Sequence, residues 1–215
     1  TALDEDTRTS WRFQQLRSSF YILTRTLRGK PYRHAGGFMA MRKSDFMKRD
    51  GFSGNLNLLH GEYDFLVNKF GDEMATAVAL HPEIHTLTKA PTRKEWINKQ
   101  LYFWETRKYL QGGWFSRFLF NLDNIMLYLN YIVAILCLAY GVIDEHWLIA
   151  SVASANILLT VLMRILFAHK AIKVFNVDLP AWRVIGFELM VPWRKIRSYF
   201  KYLKTDKYEF TSHKL

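Results

Sequence analysis

The sequence predicts an α/β domain that is followed by a transmembrane α-helical hairpin and then by an amphipathic helix at the membrane surface. Three observations lead to this fold class. Short apolar segments alternate with helical spacings in the first half of the 215 residues, a long central region lacks Lys and Arg, and the last part combines aromatic with basic residues. We therefore divide the chain into residues 1–117, 118–168 and 169–215.

Composition excludes several classes of protein. Half of the residues are hydrophobic and 16% are aromatic, which is too apolar for an intrinsically disordered chain. The single cysteine, Cys137, excludes a disulfide framework and a multi-cysteine zinc site. The mean hydropathy of -0.09 is that of an ordinary soluble protein, but it averages two unlike parts of the chain.

The first predicted element is an amphipathic helix over residues 10–28. Apolar residues recur there at steps of three and four, Ser10 is a candidate N-cap, and Gly29 with Pro31 ends the pattern. The positions that define the spacing are Phe13, Leu16, Phe20, Leu23 and Leu27. This apolar face lies either on the membrane or on its own domain, and periodicity does not distinguish the two.

Three short apolar runs predict the strands of the α/β domain. The first covers residues 38–41 and follows Gly36 and Gly37, while the others cover residues 75–80 and 84–88. Paired glycines before a buried strand allow either a tight turn or a close approach of the backbone to a ligand.

An acidic helix start lies between these strands, over residues 60–70. Glu62 and Asp64 fall in the first turn of that helix. Carboxylates there are stabilised by the helix dipole, by about 0.3–1 kcal/mol. A carboxylate at the edge of a pocket is equally the group that a general base requires, so a structural and a catalytic interpretation both stay open.

The next helix leads directly towards the membrane. Thr92 and Glu95 form a capping-box signature, and the helix that follows is expected to end at Gly112. An aromatic and basic belt suited to the membrane boundary comes next. Its members are Trp114, Phe115, Arg117 and Phe118.

Two membrane spans are predicted because the chain has no Lys or Arg between Phe118 and Met163. Residues 125–143 and 147–163 each approach the roughly 20 apolar residues that cross a bilayer. The alternative is a pair of buried helices in a soluble core. The connecting turn, residues 141–146, lacks basic residues while both flanking parts are rich in them, so the positive-inside rule predicts that both ends are cytoplasmic.

Polar residues in and beside the spans have simple expected roles. Asn124, Asn130 and Asn156 are expected to form hydrogen bonds between the two helices. Arg164 and His169 lie near the end of a span, where snorkelling to the interface is expected.

The last part of the chain predicts an interfacial helix. From Pro180 onwards aromatic and aliphatic residues recur at helical spacing, Lys and Arg occupy other positions, and Pro192 kinks or restarts the helix. The alternative is a helix packed on a soluble core. Because these cations adjoin membrane spans, membrane lipid is the expected partner and nucleic acid is not.

The order of these parts resembles membrane-bound glycosyltransferases of family 2. Residues 36–43 (Gly-Gly-Phe-Met-Ala-Met-Arg-Lys) look like the family's strand beside the acceptor site. Residues 61–64 (Gly-Glu-Tyr-Asp) stand where the family has the Thr-Glu-Asp or Gly-Asp-Asp motif that supplies the catalytic base. Residues 100–104 (Gln-Leu-Tyr-Phe-Trp) stand where it has Gln-x-x-Arg-Trp, which contacts the acceptor and the nucleotide diphosphate.

This resemblance implies part of a GT-A-type domain that transfers a sugar from a nucleotide-sugar donor to a glycan or lipid-linked acceptor at the cytoplasmic (inner) membrane. Either Glu62 or Asp64 would be the catalytic base, with a slight preference for Asp64. The residues assigned to acceptor or diphosphate binding are Gly36, Gly37, Arg42, Lys43, Gln100 and Trp104. A divalent cation, Mg²⁺ or Mn²⁺, is also implied, with its ligands outside this chain.

The sequence departs from the family pattern at two positions. Tyr63 falls on the second acidic position, and Phe103 replaces the family's arginine. The diphosphate contact is then missing or comes from a neighbour such as Lys99 or Arg107, which suggests a non-processive transferase. Since the nucleotide-binding half of the family fold is absent, we expect the chain to be the carboxy-terminal portion of a longer enzyme. The rival interpretation is a membrane-anchored protein that binds lipid or a partner without catalysis.

Overall fold

The computed structural model describes residues 2–3, 8–29, 31–34, 39–56, 60–71, 77–81, 83, 87–88, 91–206 and 210. This part of the chain is dominated by helices. In chain order they are α1 (Thr9–Leu27), α2 (Lys43–Lys48), α3 (Glu62–Phe70), α4 (Arg93–Thr106), α5 (Gly113–Ile143), α6 (Trp147–Phe175), α7 (Arg183–Leu189) and α8 (Val191–Lys204). Two short extended segments, β1 (Ala2–Leu3) and β2 (Leu87–Thr88), pair in parallel.

The prediction of an α/β domain is wrong, because the described residues form an all-α structure. The pairing of β1 with β2 extends over two residues only and does not make a sheet. Residues 39–41 and 77–80, which belong to predicted strands, have no regular structure, and residues 38, 75–76 and 84–86 lie outside the described ranges. A short apolar run fits an extended loop as well as a strand, and a strand is stable only with hydrogen-bonded neighbours on a sheet.

The predicted helices α1 and α4 are present, although α4 ends at Thr106 and not at Gly112 as predicted. In α1 only the first half of the apolar stripe packs inward, because Phe13 is 2% exposed whereas Leu27 is 76% exposed. Its N-cap is Arg8, so the prediction that Ser10 caps the helix is wrong. In α4 the capping box is present, with Thr92 N–H donating to Glu95 Oε2 at 2.7 Å and Glu95 N–H donating to Thr92 Oγ1 at 3.3 Å.

Two helices are long and apolar enough to cross a membrane. They are Arg117–Ile143, within α5, and Trp147–Phe175, which is all of α6. Core helices of a soluble protein are mostly buried, whereas only 17% and 11% of the most apolar windows of these two helices are buried. The low burial favours the membrane interpretation over the soluble core.

The interface between α5 and α6 combines close packing with polar contacts. Asn130 Nδ2 donates to Thr160 Oγ1 at 3.0 Å, and Asn156 Nδ2 donates to Asn130 Oδ1 at 3.1 Å, which confirms the predicted hydrogen bonds of Asn130 and Asn156. Asn124 is buried, but its Nδ2 has no hydrogen-bond partner in the described part of the chain. Gly141 allows the closest approach, because a Cβ there would lie 2.7 Å from Ala150 N.

We expect Gly141→Ala to destabilise the hairpin by about 1–3 kcal/mol, since the added methyl group overpacks the α5–α6 contact. Gly186→Ala in α7 is the matched control, because a Cβ there meets open space. Alanine favours a helix interior over glycine by up to about 1 kcal/mol, so the control is neutral or stabilising. Thermal unfolding in detergent, followed by circular dichroism, measures both, and equal unfolding temperatures would contradict the packing described.

The last two helices fold back onto the rest of the molecule. Pro192 lies in the first turn of α8, which confirms that the chain restarts a helix there. One hydrophobic cluster joins α1 and α6 to the α7 region, through residues such as Phe13, Phe175 and Val184. A second cluster joins α4 to α8, through Leu101 and Tyr202.

Candidate functional site

The start of α3 is held in place by a glycine. Gly61 has a φ of 99°, in the left-handed region that favours glycine, and a Cβ at this position would overlap the side chain of Thr106 at the end of α4. Both conformation and space therefore require glycine. The result is that the first turn of α3, with Glu62 and Asp64, lies against the end of α4.

Asp64 is the most deeply buried carboxylate of this turn, with 8% of the residue exposed. Its Oδ1 accepts the backbone N–H of His34 at 2.8 Å, and its Oδ2 lies 3.9 Å from Arg33 Nε. Burial raises the pKa of Asp64, although the charge of Arg33 and the hydrogen bond from His34 act in the opposite direction. The carboxylate thus anchors residues 31–34 to α3.

Arg33 lies against α4 as well as beside Asp64. Its guanidinium carbon is 3.7 Å from the centroid of the Phe103 ring, and Phe103 stands where the resemblance implies an arginine. Lys99 adds a second positive charge that acts on Asp64. Lys99 is among the residues that the sequence indicates, whereas Arg33 is not, because nothing in the sequence shows that the Arg33 side chain lies on α4.

Glu62 is more accessible than Asp64. It lies in the same turn of α3 and is half-buried, and its neighbour Tyr63 is 50% exposed. The Tyr63 ring meets the His34 ring edge-on, with centroids 5.8 Å apart. Of the two candidate bases, Glu62 is the one that a dissolved substrate reaches more easily.

The other predicted site residues are not brought to Asp64. Gln100 Nε2 donates to Gln14 Oε1 of α1 at 3.1 Å, and Trp104 Nε1 donates to Ser198 Oγ of α8 at 3.0 Å, so the polar contacts that these two residues make in the described part tie α4 to other helices. Arg42 and Lys43 are exposed at the start of α2. Gly36 and Gly37 lie outside the described residues.

Buried polar atoms without partners mark the surroundings of Asp64. In the described part of the chain, Tyr32 OH, Arg33 Nε and Thr106 Oγ1 are buried and make no hydrogen bond. Tyr32 and Thr106 are each 4% exposed. An unsatisfied buried polar atom costs about 1–3 kcal/mol, so such atoms are usually met by water or by a ligand.

In the described part of the chain, the residues around Asp64 do not provide the ligands for the divalent cation that the resemblance implies. The described residues contain no group of three His, Cys, Asp or Glu side chains that could hold a metal ion. The carboxylate of Asp64 is also already engaged by His34 and Arg33. These residues do not fit a metal site, and the mechanism below uses none.

A second charged cluster lies beside the membrane helices. Arg164 donates from Nη2 to Asp123 Oδ1 at 2.8 Å and from Nη1 to Glu188 Oε1 at 3.4 Å. That Arg164 snorkels to the interface stays a prediction. Burial raises the pKa of Glu188. This cluster, which we call the Arg164 triad, joins α5, α6 and α7.

Comparisons with known proteins give no match: no family model, curated protein or solved structure is similar to the chain. Geometry and charge therefore carry the functional interpretation.

Proposed function

We propose that the protein transfers a sugar from a nucleotide-sugar donor to a glycan or lipid-linked acceptor at the cytoplasmic face of the membrane. The observation that carries this proposal is the pair of carboxylates in the first turn of α3, Glu62 and Asp64, beside the cations Arg33 and Lys99. A carboxylate can activate an acceptor hydroxyl, and cations can compensate the charge of a leaving diphosphate.

The two carboxylates have different roles in this proposal. Glu62 is the general base, since it is the more accessible, and Asp64 is a positioning residue that holds residues 31–34 against α3. Glu62 takes the proton of the acceptor hydroxyl while the hydroxyl oxygen forms a bond to the anomeric carbon of the sugar. The bond from that carbon to the nucleotide diphosphate breaks, and the diphosphate leaves with the bonding electrons towards Arg33 and Lys99.

The membrane topology supports a cytoplasmic site. Residues 1–117 carry 19 Lys and Arg and residues 164–215 carry 11, whereas the turn between α5 and α6 carries none. Under the positive-inside rule, both ends of the chain lie in the cytoplasm, where nucleotide-sugars are made. The start of α3 lies against the end of α4, and a short turn joins α4 to α5. The start of α3 is therefore near the point at which the chain would enter the membrane.

A donor screen tests the proposal. The full-length protein, purified in detergent, is supplied with individual nucleotide-sugars and a membrane lipid extract as the acceptor source, and nucleotide release is measured. We expect one donor class to release nucleotide well above the rate without acceptor. Release at the background rate with every donor would contradict the proposal.

A lipid-binding role without catalysis is the second candidate, and α8 favours it. Four apolar side chains on one face of α8 are largely exposed, and three basic residues flank them. The apolar residues are Trp193, Ile196, Phe200 and Leu203, and the basic residues are Arg197, Lys201 and Lys204. Such a face is suited to lie in the interface of an anionic bilayer.

We expect Trp193 to lie in lipid. In vesicles with shallowly brominated lipids, Trp193→Phe should remove a large part of the tryptophan quenching, because Trp193 is 69% exposed on this face. Trp104→Phe is the control, since Trp104 packs between α4 and α8 and bonds to Ser198. Quenching that is unchanged in Trp193→Phe would show that α8 does not lie in the bilayer.

A further inference from the structure

Four basic residues lie between the start of α3 and the Arg164 triad: Arg17, Arg107, Arg117 and Lys195. We call them the cationic band. They come from four elements that pack together, because Lys195 Nζ of α8 donates to Asn121 Oδ1 of α5, and Ser198 of α8 accepts from Trp104 of α4. Arg107, at the end of α4, lies with its guanidinium carbon 3.4 Å from the centroid of the Trp104 ring.

The charges of the band act on one another. Burial and the charge of Arg117 lower the pKa of Arg107 to about 10. Burial, together with the charges of Arg17 and Arg107, lowers the pKa of Lys195 to about 7. Like charges that are held together away from water are unfavourable, and a bound anion relieves that cost.

At one end of the cationic band, carboxylates lie close enough to compensate the positive charge. Arg17 is within electrostatic range of Asp123 and Glu188, the acids of the Arg164 triad. At the other end, Arg107 makes no ion pair within the described residues, and the groups that favour its charge are the hydroxyls of Tyr32, Tyr199 and Tyr202. At the end towards Tyr32, Arg107 is thus the cation whose charge no ion-paired carboxylate compensates among the described residues.

Tyr32 provides an independent indication of a ligand. Its residue is 4% exposed, and its hydroxyl has no hydrogen-bond partner in the described part of the chain. The hydroxyl lies within electrostatic range of three cations, Arg33, Arg107 and Arg117, and of one carboxylate, that of Asp64. A tyrosine hydroxyl can donate a hydrogen bond to an anionic oxygen, and arginine guanidinium groups can donate several.

The position of the band points to the kind of anion. Arg117 is the first residue of the first candidate span, and the opposite face of α8 exposes the apolar row described above. The band therefore adjoins the end of the candidate span at which a bilayer would present its phosphate groups, and Arg33 acts on the same Tyr32 hydroxyl.

We propose that the cationic band and the hydroxyl of Tyr32 bind a phosphate or diphosphate group at the membrane face, supplied either by a lipid headgroup or by a soluble nucleotide. The choice of these two sources rests on the proposed function, whereas binding itself does not. In a transferase this site would hold the phosphate of a lipid-linked acceptor, or extend the contacts that Arg33 and Lys99 make with the leaving diphosphate.

Binding is tested with the full-length protein in two arms. In the first, inorganic pyrophosphate is titrated into detergent-solubilised protein by calorimetry. In the second, the protein is placed in phosphatidylcholine nanodiscs with and without phosphatidic acid, and the phosphorus signal of phosphatidic acid is followed by NMR. We expect saturable binding in at least one arm. Binding of pyrophosphate alone would indicate a soluble ligand, and binding of phosphatidic acid alone would indicate a lipid headgroup. Binding in both arms would indicate a site that accepts phosphate from either source.

Matched variants locate the site. We expect Lys195→Gln and Arg107→Gln each to weaken binding by about tenfold or more, as for loss of a hydrogen bond to a charged group, and Tyr32→Phe to weaken it severalfold. Lys94→Gln, at an exposed lysine on α4 outside the band and outside the apolar face of α8, removes the same charge and should change binding less than twofold. Tyr32→Phe keeps the test valid if a charge variant does not fold.

Two outcomes would overturn the proposal. One is no saturable binding in either arm, and the other is equal weakening by Lys94→Gln and Lys195→Gln, which would mean nonspecific attraction. The proposed function fails separately: a protein that binds pyrophosphate but releases no nucleotide from any donor has the phosphate site and not the transferase activity.

Discussion

Glu62→Gln is expected to lower the turnover of the full-length protein by about 10³-fold, within the range for loss of a general base. The amide keeps the size of the side chain but takes up no proton at neutral pH. Donor affinity should change little, because the charges proposed to meet the diphosphate belong to Arg33 and Lys99. Initial rates of nucleotide release with saturating donor and acceptor give the turnover, and calorimetry gives the donor affinity.

Asp64→Asn is the matched control for this variant. The amide oxygen of asparagine still accepts the N–H of His34, so the fold should remain within about 1 kcal/mol of the wild type. Asp64→Ala leaves that N–H unsatisfied and should cost about 1–3 kcal/mol. Turnover that is normal in Glu62→Gln but lost in Asp64→Asn would reverse the two roles, and full activity in both variants would contradict a base on α3.

The pH dependence of the free energy of unfolding should also distinguish Asp64 from Glu62. Because burial raises the pKa of Asp64 in the folded protein, the protonated form is favoured by folding. Its contribution to stability is therefore present at low pH and is lost as the pH rises through the folded-state pKa. In Asp64→Asn this part of the pH dependence should disappear from the free energy of unfolding, whereas in Glu62→Gln it should persist.

Local patterns predicted the helices well. The capping box of Thr92 and Glu95, the apolar spacing of α1 and the long apolar stretch without Lys or Arg in α5 and α6 each depend on residues a few positions apart, and each is found in the structure. The prediction of strands was wrong because a strand needs neighbouring strands from distant parts of the chain, and short apolar runs carry no information about such partners.

In the candidate site, too, local features could be predicted and long-range contacts could not. Both acids fall in the first turn of α3 as the sequence indicated, because the helix start is a local feature. The contact of Asp64 with the backbone of His34 joins residues 30 positions apart, and that of Trp104 with Ser198 joins residues 94 apart. The sequence therefore did not indicate that Arg33 and Lys195 belong to charged clusters, because these clusters form only when distant parts of the chain pack together.

Arg164→Leu is expected to destabilise the helix assembly by about 3 kcal/mol, towards the low end of the range for breaking a buried ion pair by removing one partner. The substitution removes the ion-pair partner of Glu188, whose side chain is 17% exposed and which keeps only the charge of Arg17 in electrostatic range, while Asp123 is 65% exposed and loses less. Denaturant unfolding in mixed micelles, followed by circular dichroism, measures the loss. Arg183→Leu, an exposed arginine on α7, is the control for charge and should stay within about 0.5 kcal/mol of the wild type.

The cause of the loss is tested by removing the orphaned acid. If the uncompensated carboxylate of Glu188 is responsible, the double variant Arg164→Leu with Glu188→Gln should recover about half of the lost stability or more, since the remaining amide is much cheaper to bury than a charge. Acidification should act similarly, because burial already raises the pKa of Glu188 and the loss of Arg164 raises it further. The difference between wild type and Arg164→Leu should then narrow as the pH falls through that pKa. A double variant as unstable as Arg164→Leu, with a difference that does not depend on pH, would mean that Arg164 stabilises the junction by packing alone.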